Sequence, residues 1–415
     1  TEPDTAIAQV GKVCLQIHSG PPGEAWYRTI RIRALAPRPE GPIATPSPDV
    51  QFRRHQITPE FLSEAISAAD VDRDGDMDLI AGAFWFEAPG WQRHALSPAR
   101  TYSIHDGYSD TFVSYPLDVD QDGWTDVVSF DFPGRGTYWY RNPGDAAGQW
   151  DRFAVHPAVR SESPLGEDVD GDGRLDLLFV DAAAGQVVWL SPPDTPGDTA
   201  WTRHEIDPAM SPDRSGGLAH GMGFGDVNGD DRPDAITIDA WWEAPTDPRG
   251  TWTEHPADFG EPAAQMYALD ADGDGDADVF GSSAHAYGIW WYEQKRADDG
   301  SVAWETHTID DRLSQTHALA VADLNGDGLP DLITGSRFFA HNGNDPGEFD
   351  PTLLVWYEAS RDASGHPVWI PRIIDGDAGV GLQIVVQDVI GDERPDILTA
   401  SKKGVYVFER VGTGE

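Results

Sequence analysis

The chain of 415 residues has one cysteine, Cys14, so no internal disulfide can form and stability must come from packing or bound metal. Basic residues are scarce too: 29 Lys and Arg stand against 71 Asp and Glu, a formal charge of -42. A field of that sign excludes nucleic acid and anionic membrane as partners, because phosphate binding needs the opposite charge. No apolar run approaches the roughly 18 residues of a membrane span. The opening "TEPDTAIA" has no signal-like apolar segment, so either a mature product or a fragment of something longer is expected. Aromatic mass is plentiful: 16 Trp, 16 Phe and 11 Tyr suffice for a real core and argue against disorder.

The acidic residues are patterned. "AADVDRDGDMDLIAG" puts a carboxylate at every second position from Asp70 to Asp78, and "LDVDQDGWTDVV", "EDVDGDGRLDLL", "GDVNGDDRPDAI", "LDADGDGDADVF", "ADLNGDGLPDLI" and "QDVIGDERPDIL" repeat it. The loops start at Asp70, Asp118, Asp168, Asp226, Asp270, Asp323 and Asp388, 44 to 65 residues apart, which are periods of propeller blades. Each is followed by a run such as "DLIAG", an aromatic segment such as "WWEA" and a further one such as "WTRHEI". Four short strands per unit predict an all-β fold, a seven-bladed β-propeller over residues 51–412 with calcium-binding loops between the first two strands of each blade. The fourth-strand pattern occurs once before the first loop, as "FRRHQI" at 52–57, and not after the last. That N-terminal strand is therefore expected to close the ring against "VYVFE", leaving no open sheet edge. Upstream, residues 1–35 read as two strands around a Gly-Pro turn and the proline-rich 36–50 as a stiff linker.

The pattern D-x-[DN]-x-D-G-x-x-D spaces oxygen ligands around a hard cation, with Gly at the left-handed turn, and calcium fits best. An EF-hand would need Glu at position 12 and flanking helices. The expected ligands are Asp70, Asp72, Asp74 and Asp78; Asp118, Asp120, Asp122 and Asp126; Asp168, Asp170, Asp172 and Asp176; Asp226, Asn228, Asp230 and Asp234; Asp270, Asp272, Asp274 and Asp278; Asp323, Asn325, Asp327 and Asp331. That makes up to six structural calcium sites. The seventh loop has Ile390 where a ligand belongs and is expected to be empty or weak. Clustered carboxylates repel, so cations should stabilise the fold; solvated acidic turns without metal are the alternative. At about 3.3 Å per residue, the inner strand holds the loops roughly 20 Å from the opposite rim, so they read as scaffold. High calcium demand suits an extracellular or periplasmic setting.

Chemistry is then sought in residues that break the repeat. His55, His94, His204, His255 and His307 share one strand position and read as structural. His220 and His317 instead stand six residues before a loop's first Asp, at the rim end of the inner strand, and Glu64 and Glu162 share that offset. These four could ligate a further divalent metal or move protons, or simply face a water-filled channel. Rim loops, where repeat folds keep function, add His105, Tyr108 and Asp110 from "YSIHDGYSD", Arg135 from "FDFPGRGTY", His285 and Tyr287 from "SSAHAYG", and Arg337, His341, Asn342 and Asp345 from "GSRFFAHNGNDPGEFDP". The candidate catalytic set is His220, His317, His341, Tyr108, Arg337 and His105; Asp110, Arg135, His285, Tyr287 and Asn342 are candidate substrate contacts.

The acidic loops resemble the FG-GAP or VCBS repeats of integrin-type propellers over residues 52–410. The segment "GKVCLQIHSGPPGEAWYRTIRIRAL" resembles the closing strands of the sandwich domain in 3-keto-disaccharide hydrolases, which implies an upstream carbohydrate-active domain. "HGMGFGDVNGD", "WWEAP" and "HALAVADLNGDGLPDLITGSRFFAHNGNDPG" resemble the propeller of aldos-2-ulose dehydratases and related sugar lyases. That family removes water from keto sugars with a divalent metal in the propeller, so the resemblance implies a carbohydrate partner and metal or proton work for His220, His317 and His341. In such a carbon–oxygen lyase a neutral His would take the proton made acidic by a ketone, a metal or Arg337 would stabilise the enolate, and Tyr108 or a second His would protonate the departing oxygen. Two other readings stay open: a non-catalytic, calcium-stabilised propeller that binds glycan or protein, and a hydrolase using Glu64 and Glu162.

Overall fold

A computed structural model describes residues 43–98, 100–105, 107–146, 148–207, 219–260, 263–297 and 301–412. The expected strand pair within 1–35 lies outside the described residues. The chain divides into Thr1–Glu40 and Gly41–Glu415, so the second unit begins ahead of the expected start at residue 51. The described end of the expected linker belongs to that unit. Thr45 pairs in parallel with Arg372, its carbonyl accepts the Ile373 N–H at 2.9 Å, and Val50 is buried in the core.

Regular structure among the described residues is β apart from a short 3-10 turn at Ala340–Asn342. Each acidic loop separates a short inner strand from a second strand that is buried along its whole length, such as Asp78–Ala81, Asp176–Val180 or Asp331–Gly335. Both faces of these Val-, Ile- and Leu-rich segments meet neighbouring sheets, which is why they run apolar without alternation. The third strands bring the tryptophans, and core clusters join neighbouring strand quartets: Leu178 and Trp189 of one pack with Ala235 and Trp242 of the next. Each fully buried Leu or Phe contributes about 1.5–3 kcal/mol. The outermost strands, such as Gln92–Ala95, are largely exposed.

The result is a β-propeller-like ring of sheets. Five are separate four-stranded sheets, and one has eight strands. In place of seven separate blades, two quartets are fused: Met222–Gly225 pairs in parallel with Gln265–Leu269 through Met222↔Gln265 and Gly223↔Met266. Glycine permits this. A Cβ on Gly223 would lie 2.7 Å from the Met266 carbonyl oxygen, and one on Gly225 would lie 2.9 Å from Ala268 Cβ. At the other seam Gln51–Thr58 pairs antiparallel with Gly404–Val411, from Gln51↔Val411 to Thr58↔Val405. The first strand thus completes the sheet that the last strands begin.

The inner strands enclose a channel of about 520 Å³ whose walls include Ser67, Ser114, Glu167, Tyr267, Gln265 and Gln383. Two amides cross it. Gln383 accepts the Ser114 N–H at 3.1 Å and donates to the Ser114 carbonyl at 3.0 Å; Gln265 accepts from Leu319 N–H at 3.1 Å and donates to Leu382 O at 3.0 Å. They tie together strands that are distant in sequence.

The repeat-position histidines are part of the sheets. His94, His204, His255 and His307 stack on Trp85, Trp189, Trp241 and Trp291 with ring centroids 3.9 to 4.4 Å apart. Their Nε2 atoms meet Glu87, Ser191, Glu243 and Glu293, and that of His55 meets Glu409 at 2.5 Å.

Candidate functional site

At the rim opposite the acidic loops, Glu162, His220, His285 and His317 each offer one ligand atom, and these four atoms lie within 4.8 Å of one another. Glu162 precedes the inner strand Leu165–Glu167, His220 the strand Met222–Gly225, and His317 the strand Leu319–Ala322. His285 sits in the loop between Asp278–Ser282 and Tyr287–Arg296. The close approach of the two glycine-seamed inner strands brings His220 against His285, whose Nε2 atoms are 2.6 Å apart. His317 Nε2 stands 2.7 Å and His220 Nε2 3.5 Å from Glu162 Oε2.

The electrostatics suit a cation. Burial, then the charges of its histidine neighbours and Arg337, pushes His285 down to about 3; burial, then Arg337, pushes His317 down to about 4. Both are neutral near pH 7, the form in which imidazole binds metal. Burial alone would raise the Glu162 carboxyl, but its bonds to His220 and His317 hold it well below the ordinary value. Two facing imidazole nitrogens 2.6 Å apart need a proton or an ion between their lone pairs. Three histidines and a carboxylate are a donor set for zinc or a similar divalent metal. His285 Nδ1 lies 3.3 Å from Asp345 Oδ2, the outer carboxylate that orients metal-binding imidazoles.

A second layer surrounds this cluster. His341 Nδ1 lies 2.7 Å from the same Asp345 oxygen, and its ring is 4.7 Å from that of His285. Phe339 and His341 both adopt left-handed backbone, at φ 50 and 46, a cost that a functional loop must offset by contacts elsewhere. One such contact crosses the ring: the His341 N–H donates to Tyr108 Oη at 3.0 Å. Burial raises the Tyr108 hydroxyl above its ordinary value. Arg337 and Lys402 complete the wall, Lys402 Nζ lying 4.5 Å from the centroid of the Tyr108 ring.

The expected residues are thus partly regrouped. His220, His317, His341, Tyr108 and Arg337 gather around one centre. His285, expected as a substrate contact, is a member of the metal-competent cluster. Glu64 shares the offset of Glu162 but stands apart, accepting the Ser109 N–H and O–H at 3.0 and 2.7 Å. His105 is outside the cluster, edge-on to Phe339 at 5.6 Å. Asp110 and Arg135 are paired with each other at 3.1 Å, and Tyr287 donates to Asp350 at 2.9 Å, so these three brace loops. The Asn342 side chain lies outside the described residues. Asp345 has no assigned role in the sequence reading, where its only signal is its place in the longest rim loop; the fold makes it the carboxylate that His285 and His341 share.

The acidic loops differ among themselves. Asp70, Asp72 and Asp78 form one oxygen cluster and Asp118, Asp120 and Asp122 another, and the buried Oδ1 atoms of Asp70 and Asp120 have no hydrogen-bond partner among the described residues. These residues fit a hard cation. The ninth-position aspartates also hold the backbone together. Asp78 accepts the Val71 and Ala88 N–H groups at 3.0 and 2.8 Å, and Asp126, Asp234, Asp278 and Asp331 do the same in their loops. Desolvation raises these carboxyls, to about 6 at Asp78 and about 8 at Asp176. Elsewhere arginines supply positive charge: Arg249 pairs with Asp170 and Arg232 with Asp230. In the seventh loop Arg394 lies 2.5 Å from Asp392, and Ile390 is exposed.

Residues 118–179 and 249–334 match the FG-GAP-like repeat family, spans that contain four of the acidic loops. The chain is an all-β protein with a propeller-like ring of sheets, two spans of which are similar to FG-GAP-like repeats. No curated protein matches it by sequence. Among solved structures, a lectin of Agrocybe aegerita that recognises non-reducing terminal N-acetylglucosamine is 14% identical, with 88% of this chain and 94% of that one covered at a TM-score of 0.45. The exotype rhamnogalacturonan lyase YesX is also 14% identical, with 88% and 75% covered at a TM-score of 0.47. Likenesses at this level carry no argument about chemistry.

Proposed function

We propose that this chain is a metal-dependent carbon–oxygen lyase that eliminates water or an alcohol from a keto sugar or oxidised glycoside at the rim of a seven-bladed propeller, the eight-stranded sheet serving as two blades. The observation that carries this reading is the convergence of Glu162, His220, His285 and His317 beside the His341–Asp345 pair and Tyr108. A divalent ion held by those four would polarise the substrate carbonyl and acidify the neighbouring C–H. His341, oriented through Nδ1 by Asp345, takes that proton on Nε2. The C–H electron pair forms the new double bond, the C–O bond breaks, and the oxygen leaves with the Tyr108 proton. Tyr108 is suited to this because its oxygen accepts the His341 N–H, leaving its own proton to give, and burial keeps it protonated. No covalent intermediate is required.

Calcium is the proposed structural ion of the acidic loops, with the third and fourth weaker than the first, second, fifth and sixth because Arg249 and Arg232 occupy them. Such sites suit an extracellular or periplasmic protein, and the resemblance of the N-terminal segment suits an upstream carbohydrate-active domain. One feature favours a propeller that only binds glycan: a groove of about 500 Å³ lined by His105, Phe338, Phe339 and Phe349, the last 83% exposed, offers aromatic faces for stacking. Incubation with keto sugars and oxidised glycosides separates the two. Ultraviolet absorbance of a conjugated product that grows with the parent protein and is lost in His285→Ala and Tyr108→Phe supports the lyase. Binding without turnover by the folded, metal-loaded protein would contradict it.

A further inference from the structure

Arg337 begins the long rim loop that follows the strand Asp331–Gly335, its backbone bridged in parallel to Val380. Its side chain is buried, the residue only 5% exposed, yet none of its three guanidinium nitrogens has a hydrogen-bond partner among the described residues. An unpaired buried guanidinium is among the costliest groups a fold can hold. Composition makes the omission pointed, because 71 acidic residues were available to answer it.

Glu64 feels the Arg337 charge through space, but no neighbour among the described residues answers it with a hydrogen bond. Glu64 lines the same void, but its Oε2 is taken by Ser109 and its Oε1 has no hydrogen-bond partner among the described residues. Lys402 adds a second cation on that wall, Nζ donating to the Phe339 carbonyl at 2.9 Å. The void among Glu64, Tyr108, Arg337 and Lys402 is about 10 Å³, room for about one water. Toward the ring centre, the Arg337 charge lowers both His285 and His317. Arg337 thus shares one wall with Lys402, and its charge is felt at the metal-competent cluster.

We infer that Arg337, backed by Lys402, is a carboxylate subsite, and that the sugar handled at this rim is a uronate. A guanidinium presents paired N–H groups that match a carboxylate as a fork, which an ammonium or a neutral hydroxyl partner does not. The inference rests on the reading of the rim as a carbohydrate site and names the class of sugar.

The test is titration of the zinc-loaded full chain with D-glucuronate and with D-glucose, followed by tryptophan fluorescence, with bound zinc measured in the same samples. Glucuronate is expected to bind at least about tenfold tighter, a difference of about 1.4 kcal/mol. Arg337→Gln should reduce the preference to within about twofold at unchanged zinc content, and Arg337→Lys should restore part of it. Equal binding of the two sugars, no binding of glucuronate, or a preference that survives in folded Arg337→Gln would overturn the inference. The comparison in the parent protein decides even if Arg337→Gln does not fold. A glucuronate preference without bound zinc would sustain the subsite and sink the metal reading; zinc without the preference would do the reverse.

Discussion

The two rims of the ring hold opposite kinds of site. One carries acidic loops that are near copies of each other, exposed and built from consecutive residues; the other carries one cluster assembled from three different sheets, its members largely buried. Repetition and burial teach different things. A loop that recurs in every sheet serves the sheet, and its ninth-position aspartates do so visibly by pinning the loop to the next strands. A cluster that occurs once, with Glu162 held ionised and two imidazoles held neutral in the same small volume, has no such explanation.

Breaking the cluster should have the largest effect. His285→Ala or Glu162→Gln is expected to remove the rim metal and with it the elimination, while calcium binding at the opposite rim is unchanged; elemental analysis and the absorbance assay read the two. Tyr108→Phe comes next: it keeps the metal and lowers the rate about 10²- to 10⁴-fold, the usual worth of a positioned proton donor. A variant with parent-like turnover would remove Tyr108 from the reaction.

Stripping the loops should instead cost stability, in a pH-dependent way. Asp78, Asp278 and Asp331 titrate near 6 in the fold, Asp126 and Asp234 near 7 and Asp176 near 8, all raised chiefly by burial. Unfolded aspartates titrate near ~3.9, so between about pH 4 and 8 the calcium-free fold binds more protons than the unfolded chain and loses stability as pH rises. Bound cations would stand in for those protons. The rise in Tm on adding calcium should therefore be small near pH 5 and largest near pH 8, and an equal rise at both would contradict the assignment. The smallest effect is expected in the seventh loop. Ile390→Asp alone should add no calcium, because Arg394 already holds Asp392, whereas the double variant with Arg394→Gln should add some.

The sequence displayed the repeated rim far better than the unique one. Strand order, the loops and the closing strand at 51–58 were legible because each follows a local pattern repeated along the chain. The fusion of two quartets was not, because it depends on how closely Gly223 and Gly225 let one inner strand approach another. Glu162, His220 and His317 were legible from their shared offset. His285 and Asp345 obey no offset, and only the fold brings one beside His220 and the other beside His341. Glu64 misled for the complementary reason: the same offset in a different sheet ends beside Ser109 and Lys402.

The most direct measurement is metal content after dialysis against zinc and calcium together, in the parent, in His285→Ala and in Asp72→Asn. The account predicts one zinc per chain, lost in His285→Ala and kept in Asp72→Asn, with calcium falling only in Asp72→Asn. No zinc in the parent, or loss of both metals together in His285→Ala at intact fold, would contradict it.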